Sequence, residues 1–262
     1  MSFLQTAERV SQNDESDNFV FQRSVLAYQE AADRIQGKVL EIGTGSGYGI
    51  EYIAQNSSRF ITLDKHKPDV VSNETLISAS NVQFLQMKVP PLVDIPSNYF
   101  DAVISFQVIE HIKDDHAFIL EALRVLKPGG KLILTTPNKT MSLTRNPWHI
   151  REYTSTEFVE LLSKYFDINE ELGVFGNRNV KDYYEKNKAA VKKTTRFDIL
   201  NLQYRLPRWM LQIPYDILNR MNRKRLLKNN ERLTRSIRLD DYYLADAAAD
   251  CFDLFFVCSK PI

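Results

Sequence analysis

The chain has 262 residues, 44% of them hydrophobic and 26% charged, with a formal net charge of +1, which fits a globular protein with a sizeable core and excludes a disordered or fibrous one. Its longest apolar runs, such as 132–136 and 254–258, fall far short of the roughly 20 residues that a bilayer span needs, so no transmembrane segment is expected. The polar, acidic start MSFLQTAERVSQNDESDNF resembles neither a secretory nor a transit peptide, and the cytoplasm is the expected compartment.

In chain order, FVFQRSVLAYQEAADRIQ (19–36) carries apolar residues at helical spacing, with Gly37 as its stop signal. KVLEIG (38–43) reads as a buried strand entering a glycine-rich turn, and YGIEYIAQ (48–55) as the helix after it. RFITLD (59–64) is a second strand, 68–80 a helix with Pro68 in its first turn, and VQFLQM (82–87) a third strand. FDAVISF (100–106) is the fourth strand and DDHAFILEALRVL (114–126) a helix with an acidic first turn. Gly129 and Gly130 turn the chain into a fifth strand, KLILTTP (131–137). Thr154 to Glu157 spells a capping box opening a helix to Tyr165, followed by a sixth strand, FDINEELGVF (166–175). CFDLFFVC (251–258) closes the chain as a seventh strand. Cys251 and Cys258 stand an odd number of positions apart in that segment, so they face opposite ways and are expected as buried, unbonded thiols of a reducing compartment.

Alternating strands and helices predict an α/β protein with a doubly wound, mainly parallel, Rossmann-like sheet. Residues 1–176 and 250–262 would form one domain, and 177–249 a basic helical insert before the last strand. The segment 178–238 holds 17 Lys and Arg against 5 Asp and Glu, a net +12 beside a remainder of −11.

The turn VLEIGTGSGYG (39–49) has glycines at 43, 45 and 47, so backbone N–H groups can approach a ligand beyond the carboxyl ends of the strands. A dinucleotide fingerprint, G-x-G-x-x-G, fails in every register, because its third glycine falls on Tyr48, Ile50 or Tyr52. A phosphate loop fails too, since no Gly-Lys-Ser/Thr follows. An acid, Glu41, stands two residues before the first glycine; it would repel a pyrophosphate but suits a cationic amino-acid group. Asp64, ending the second strand, is placed to take ribose hydroxyls. Together they describe S-adenosylmethionine.

With these motifs the chain resembles a class I S-adenosylmethionine-dependent methyltransferase of the type 11 group, over about 18–176 and again at 251–258. VLEIGTGSGYG is similar to the family's first motif, ITLD to its acidic second motif, FDAVISFQVIEHI to its fourth-strand motif and LRVLKPGGKLILTTPN to the segment through the fifth strand. The resemblance implies strand order 3-2-1-4-5-7-6 with the last strand antiparallel. It also implies cofactor contacts at Glu41, Gly43, Thr44, Gly45, Ser46, Gly47, Asp64, Lys65, Met87, Lys88, Phe106 and Gln107, with His66 near the adenine. One departure is that LQMK supplies Met87 and Lys88 where the family usually has an acid after the third strand.

A sulfonium methyl is already electrophilic, so no metal is required, and the scattered His66, His111, His116 and His149 have no ligand spacing. A hydroxyl acceptor would need a base, for which His111 and His149 are the candidates, against the plainer roles of loop orientation and a buried, hydrogen-bonded imidazole. Related sequences carry a segment like NPWHIREYT (146–154) along the acceptor pocket, which nominates His149, Arg151 and Tyr153 as acceptor contacts; a surface ion pair is the alternative for Arg151. His116, behind two aspartates, reads as a solvated surface residue.

For the insert three roles stay open: a lid packing its apolar face on the domain, an interfacial amphipathic segment, or a polyanion-binding face that includes RNA, the last two through 206–238. The expected activity is methyl transfer to a small-molecule acceptor, more at oxygen than nitrogen, on a sugar-bearing, phenolic or lipid-linked compound. The alternatives are methylation of a peptide or RNA docked on the basic insert, a cofactor-binding module without turnover, and an NAD-dependent oxidoreductase.

Overall fold

Strands that are covered on both faces lose their alternation and read as unbroken apolar runs, and VLEI, FITL and LFFVC owe their pattern to this. The computed structural model describes residues 10, 13–68, 81–198 and 200–262. Its strands are β1 (Lys38–Ile42), β2 (Arg59–Asp64), β3 (Val82–Gln86), β4 (Phe100–Phe106), β5 (Leu126–Pro137), β6 (Asp167–Gly176), β7 (Tyr242–Asp246) and β8 (Asp253–Ser259). They form one sheet in the order β3-β2-β1-β4-β5-β8-β6-β7. The strands from β3 to β5 pair in parallel, and β8 runs antiparallel between β5 and β6.

The expected order is therefore present with one strand more than the seven expected. The addition is β7, at the edge beside β6, so the segment 177–249 is not purely helical. A further difference is at β5, which begins at Leu126 rather than 131. Phe100 pairs with Leu126 and Ala102 with Lys131, so the chain bulges out between them; Gly129 sits there at φ +74°.

Helix α1 (Asn18–Ala32) precedes the first strand, and α2 (Ile50–Ala54), α3 (Asp115–Val125) and α4 (Ser155–Leu162) lie between strands. The Asp114 side chain caps α3 by accepting from the Ala117 N–H, and Thr154 with Glu157 makes the capping box of α4. The helix expected over 68–80 lies outside the described residues.

The described residues form two compact units. The larger comprises Ser24–Met141, Arg151–Phe175 and Leu244–Ile262, with Leu40, Leu63, Phe100, Phe118, Phe158 and Phe256 in its core. Both cysteines lie there as buried free thiols, and burial pushes the Cys258 thiol up to about 12.

The second unit joins the described residues of Met1–Arg23 and Ser142–Ile150 to Gly176–Tyr243, two stretches that the sequence reading had placed with the sheet. It holds α5 (Arg178–Thr195), α6 (Leu202–Arg205), α7 (Arg208–Asn229) and α8 (Glu231–Ser236). The buried Asp17 carboxylate accepts from Arg220 at 3.0 Å and Arg223 at 2.7 Å. Phe19 stacks on Tyr183 with ring centroids 4.5 Å apart, and Asn18 donates to the Thr234 and Ile237 carbonyls.

Candidate functional site

The β1–α2 turn of the larger unit is shaped by glycines at positive φ, two of which matter most. Gly43 has φ +101°, and a Cβ there would lie 2.4 Å from Val108 Cγ2, so only glycine lets the turn pack on the segment that follows β4. Gly45 has φ +59° with no neighbour within 4 Å of a Cβ, so its outer face is open.

Asp64, at the end of β2, is fastened to this turn. Its Oδ2 accepts from the Gly45 N–H at 3.0 Å and its Oδ1 from the His66 N–H at 2.9 Å. A carboxylate offers about four acceptor positions in all. The Met87 N–H donates to the Asp64 carbonyl, bringing Met87 alongside, while Lys65, His66 and Lys88 are exposed around it.

Glu41 is sealed from solvent at 1% exposure. One carboxylate oxygen accepts from the Tyr28 hydroxyl at 2.6 Å, and the other from Thr62, whose hydroxyl meets that of Thr44 at 2.6 Å. Burial pushes the Glu41 carboxyl up to about 7, against the hydrogen bonds from Thr62 and Tyr28 that pull it down. Glu41 therefore meets the turn through the hydroxyls of Thr62 and Thr44, and a direct ammonium contact would need one of its partners to move. Tyr28 also packs edge-on against Phe106, with centroids 4.9 Å apart. Nothing in its helical sequence context signals this placement, and sequence reasoning missed it together with Thr62.

After β4 the backbone turns at Gln107, φ +56°, whose N–H donates to the Thr135 carbonyl. A short 3₁₀ turn, Ile109–His111, follows. Glu110 is fully buried with Thr136 donating to it at 3.1 Å, and its carbonyl accepts from the Arg151 N–H. His111 is partly exposed, with Nε2 3.9 Å from Glu110 Oε1.

Arg151 and Tyr153 both reach Asp115 at the start of α3; the Tyr153 hydroxyl donates at 2.8 Å and the Arg151 guanidinium forms an ion pair. Burial works against the Asp115 charge, but these two donors more than offset it and hold its carboxyl below the usual range. His116 is exposed, with Nδ1 2.8 Å from the Tyr165 hydroxyl.

In the second unit, the Asn146 side chain accepts from the Trp148 N–H through Oδ1 at 3.0 Å, which orients its amide. Its Nδ2 then donates to His149 Nε2 at 2.8 Å, so that nitrogen accepts and the imidazole proton sits on Nδ1.

A family model for a methyltransferase domain matches residues 40–134, from β1 into β5. A probable S-adenosylmethionine-dependent methyltransferase of Mycolicibacterium smegmatis is 30% identical over 267 residues, covering 98% of this chain and 95% of the relative. A ubiquinone biosynthesis O-methyltransferase of Xanthomonas oryzae pv. oryzae is 33% identical over 111 residues, 41% of this chain and 46% of that protein. The solved 1,6-didemethyltoxoflavin-N1-methyltransferase of Burkholderia thailandensis shares the fold at TM-score 0.52 and 14% identity, over 92% of this chain and 78% of that one. Likeness along nearly the whole of the first relative, on a sheet of this order with this turn at its first crossover, makes the chain a member of the S-adenosylmethionine-dependent methyltransferases.

Proposed function

We propose that this enzyme transfers the methyl group of S-adenosylmethionine to a hydroxyl of a small molecule, a sugar-bearing, phenolic or lipid-linked compound, with His111 as the base. One observation carries the reading: Val108 packs against Gly43, which stacks the Ile109–His111 turn on the glycine turn that Asp64 braces. His111 thus follows by three residues the side chain that packs on the glycine turn, beyond the carboxyl end of β4, where open α/β sheets take their ligands.

The residues present fit the cofactor. Asp64 would accept from the ribose hydroxyls, Gly43, Gly45 and Ser46 are partly exposed for the amino-acid end, and the buried Glu41 carboxyl, linked through Thr62 and Thr44, would favour a cation there. Lys65, Met87, Lys88, Phe106 and Gln107 border the rest. The cofactor, when bound, supplies a methyl on a positively charged sulfur that accepts an electron pair as the carbon–sulfur bond breaks. His111 takes the proton of the hydroxyl as its oxygen bonds to the methyl carbon, so no alkyl-oxonium charge is left on the product. Arg151 and Tyr153, held by Asp115, would present a polar wall to the acceptor. His149 is less suited to proton transfer, because Nε2 already accepts from Asn146. The O-methyltransferase of Xanthomonas oryzae, similar over 111 residues, adds support for oxygen as the acceptor atom.

The test is incubation of the enzyme with methyl-labelled cofactor and fractionated cell extract. The label should enter a low-mass fraction as a methyl ether. Label confined to protein or RNA, or to nitrogen, would overturn the reading.

A further inference from the structure

We propose that the outward face of α7 binds an anionic lipid surface, with the helix lying in the plane of the headgroups. A helix of a water-soluble protein ordinarily buries its apolar stripe. Helix α7 is turned the other way. Its polar residues point into the second unit: Asp216 accepts from Trp148 Nε1 at 3.0 Å, Arg220 and Arg223 grip Asp17, and Asn222 donates to Asn187 at 2.7 Å. Six of its apolar residues point out, while Leu226 is buried and Leu211, Tyr215 and Leu227 are half-buried. Trp209 is 73% and Ile213 69% exposed, and Met210, Ile217, Leu218 and Met221 are exposed with them. The spacing 209, 213, 217, 221 is i, i+4 throughout, one continuous row of about 18 Å at 1.5 Å per residue. A row of that size on a surface marks a contact site.

Charge selects the partner. Lys224, Arg225 and Lys228 continue the same side three, four and seven residues beyond Met221, and all are exposed. Asp216 is the single acid in α7, and it is engaged inward, so the outward face carries cations and apolar groups without an acid. A second copy would bring two segments of net +12 together. An RNA backbone would satisfy the cations and leave tryptophan, isoleucine and methionine in water. A layer of anionic headgroups over acyl chains satisfies both, in the manner of interfacial helices. Among the described residues no helix is long and apolar enough to cross a membrane, so the contact is one of lying on the surface. The proposal does not depend on which acceptor is methylated.

The 262-residue chain is sedimented with vesicles of phosphatidylcholine alone and with phosphatidylglycerol added. Binding should require phosphatidylglycerol, weaken with salt, and bring a blue shift in tryptophan emission. Ile213→Glu with Ile217→Glu, and separately Lys224→Glu with Arg225→Glu, should each lower vesicle affinity at least tenfold, given about fivefold per cation at such a surface. Circular dichroism and S-adenosylhomocysteine affinity should stay unchanged in both, which separates lost docking from lost folding. No vesicle binding, or binding that both variants retain, would overturn the proposal. So would RNA binding without vesicle binding, or a dimer that dissociates on Ile213→Glu.

Discussion

At the scale of single residues, Glu41 has the most unusual environment in the candidate site. Its carboxyl stands at about 7 in the fold against an ordinary 4.5, because burial disfavours its charge. A raised acid pKa means the folded state binds the proton more tightly than the unfolded chain between those values. The stability contributed by the protonated form is thus whole below about pH 4.5 and is lost as pH rises to about 7. The wild type should lose up to about 3 kcal/mol over that window relative to Glu41→Gln, as read by urea unfolding at stepped pH. A cation bound at the turn would draw the proton off Glu41, so affinity for S-adenosylmethionine should rise between pH 6 and 8 and lose that slope in Glu41→Gln. His111→Ala should lower kcat roughly a hundredfold or more while leaving S-adenosylhomocysteine affinity intact; its pH–rate profile should lose the limb of a base. The glycines, Glu41, Asp64 and the two histidines were legible as residue types in a pattern. Tyr28, Thr62 and Asp115 were not, because a side chain's partner across the sheet depends on register and helix rotation, and neither is encoded in local spacing.

At the scale of elements, the β1–α2 turn and the segment after β4 are fitted to each other at Gly43. Gly43→Ala combines φ +101° with a Cβ 2.4 Å from Val108 Cγ2 and should cost about 2–4 kcal/mol in unfolding free energy. Adding Val108→Ala should relieve the clash and recover part of that loss, leaving the strain of positive φ. In the second unit, Asp17→Ala takes the shared buried carboxylate from Arg220 and Arg223 on α7, leaving Arg220 its 3.5 Å pair with Asp14, and should destabilise by about 3 kcal/mol, with faster amide exchange along Arg208–Asn229. The central strands were readable because burial on both faces writes an apolar run. β7 was not, since YYLAD at the sheet edge is mostly exposed and has no such run. α7 shows the limit of periodicity: its spacing reveals an apolar face, but spacing alone does not say whether that face turns inward or out.

At the scale of the whole molecule, two signals ran through the sequence from the start. One was the succession of strands and helices, which the sheet order bears out with one edge strand added. The other was the charge asymmetry, +12 over 178–238 against −11 elsewhere. The first leads to the cofactor and the second to the proposed lipid contact, and neither names the acceptor, because function resides in site chemistry rather than in a fold that hosts many reactions. In the proposed reading, Asp64 and the open turn hold the cofactor and so join the sheet to the reaction. The most direct measurement is calorimetric titration of S-adenosylhomocysteine into the wild type and into Asp64→Ala. The account predicts one site per chain in the wild type and an affinity at least 30-fold lower in the variant, about 2 kcal/mol for lost hydrogen bonds to a charged group. An unchanged affinity in Asp64→Ala, with the variant folded, would contradict it.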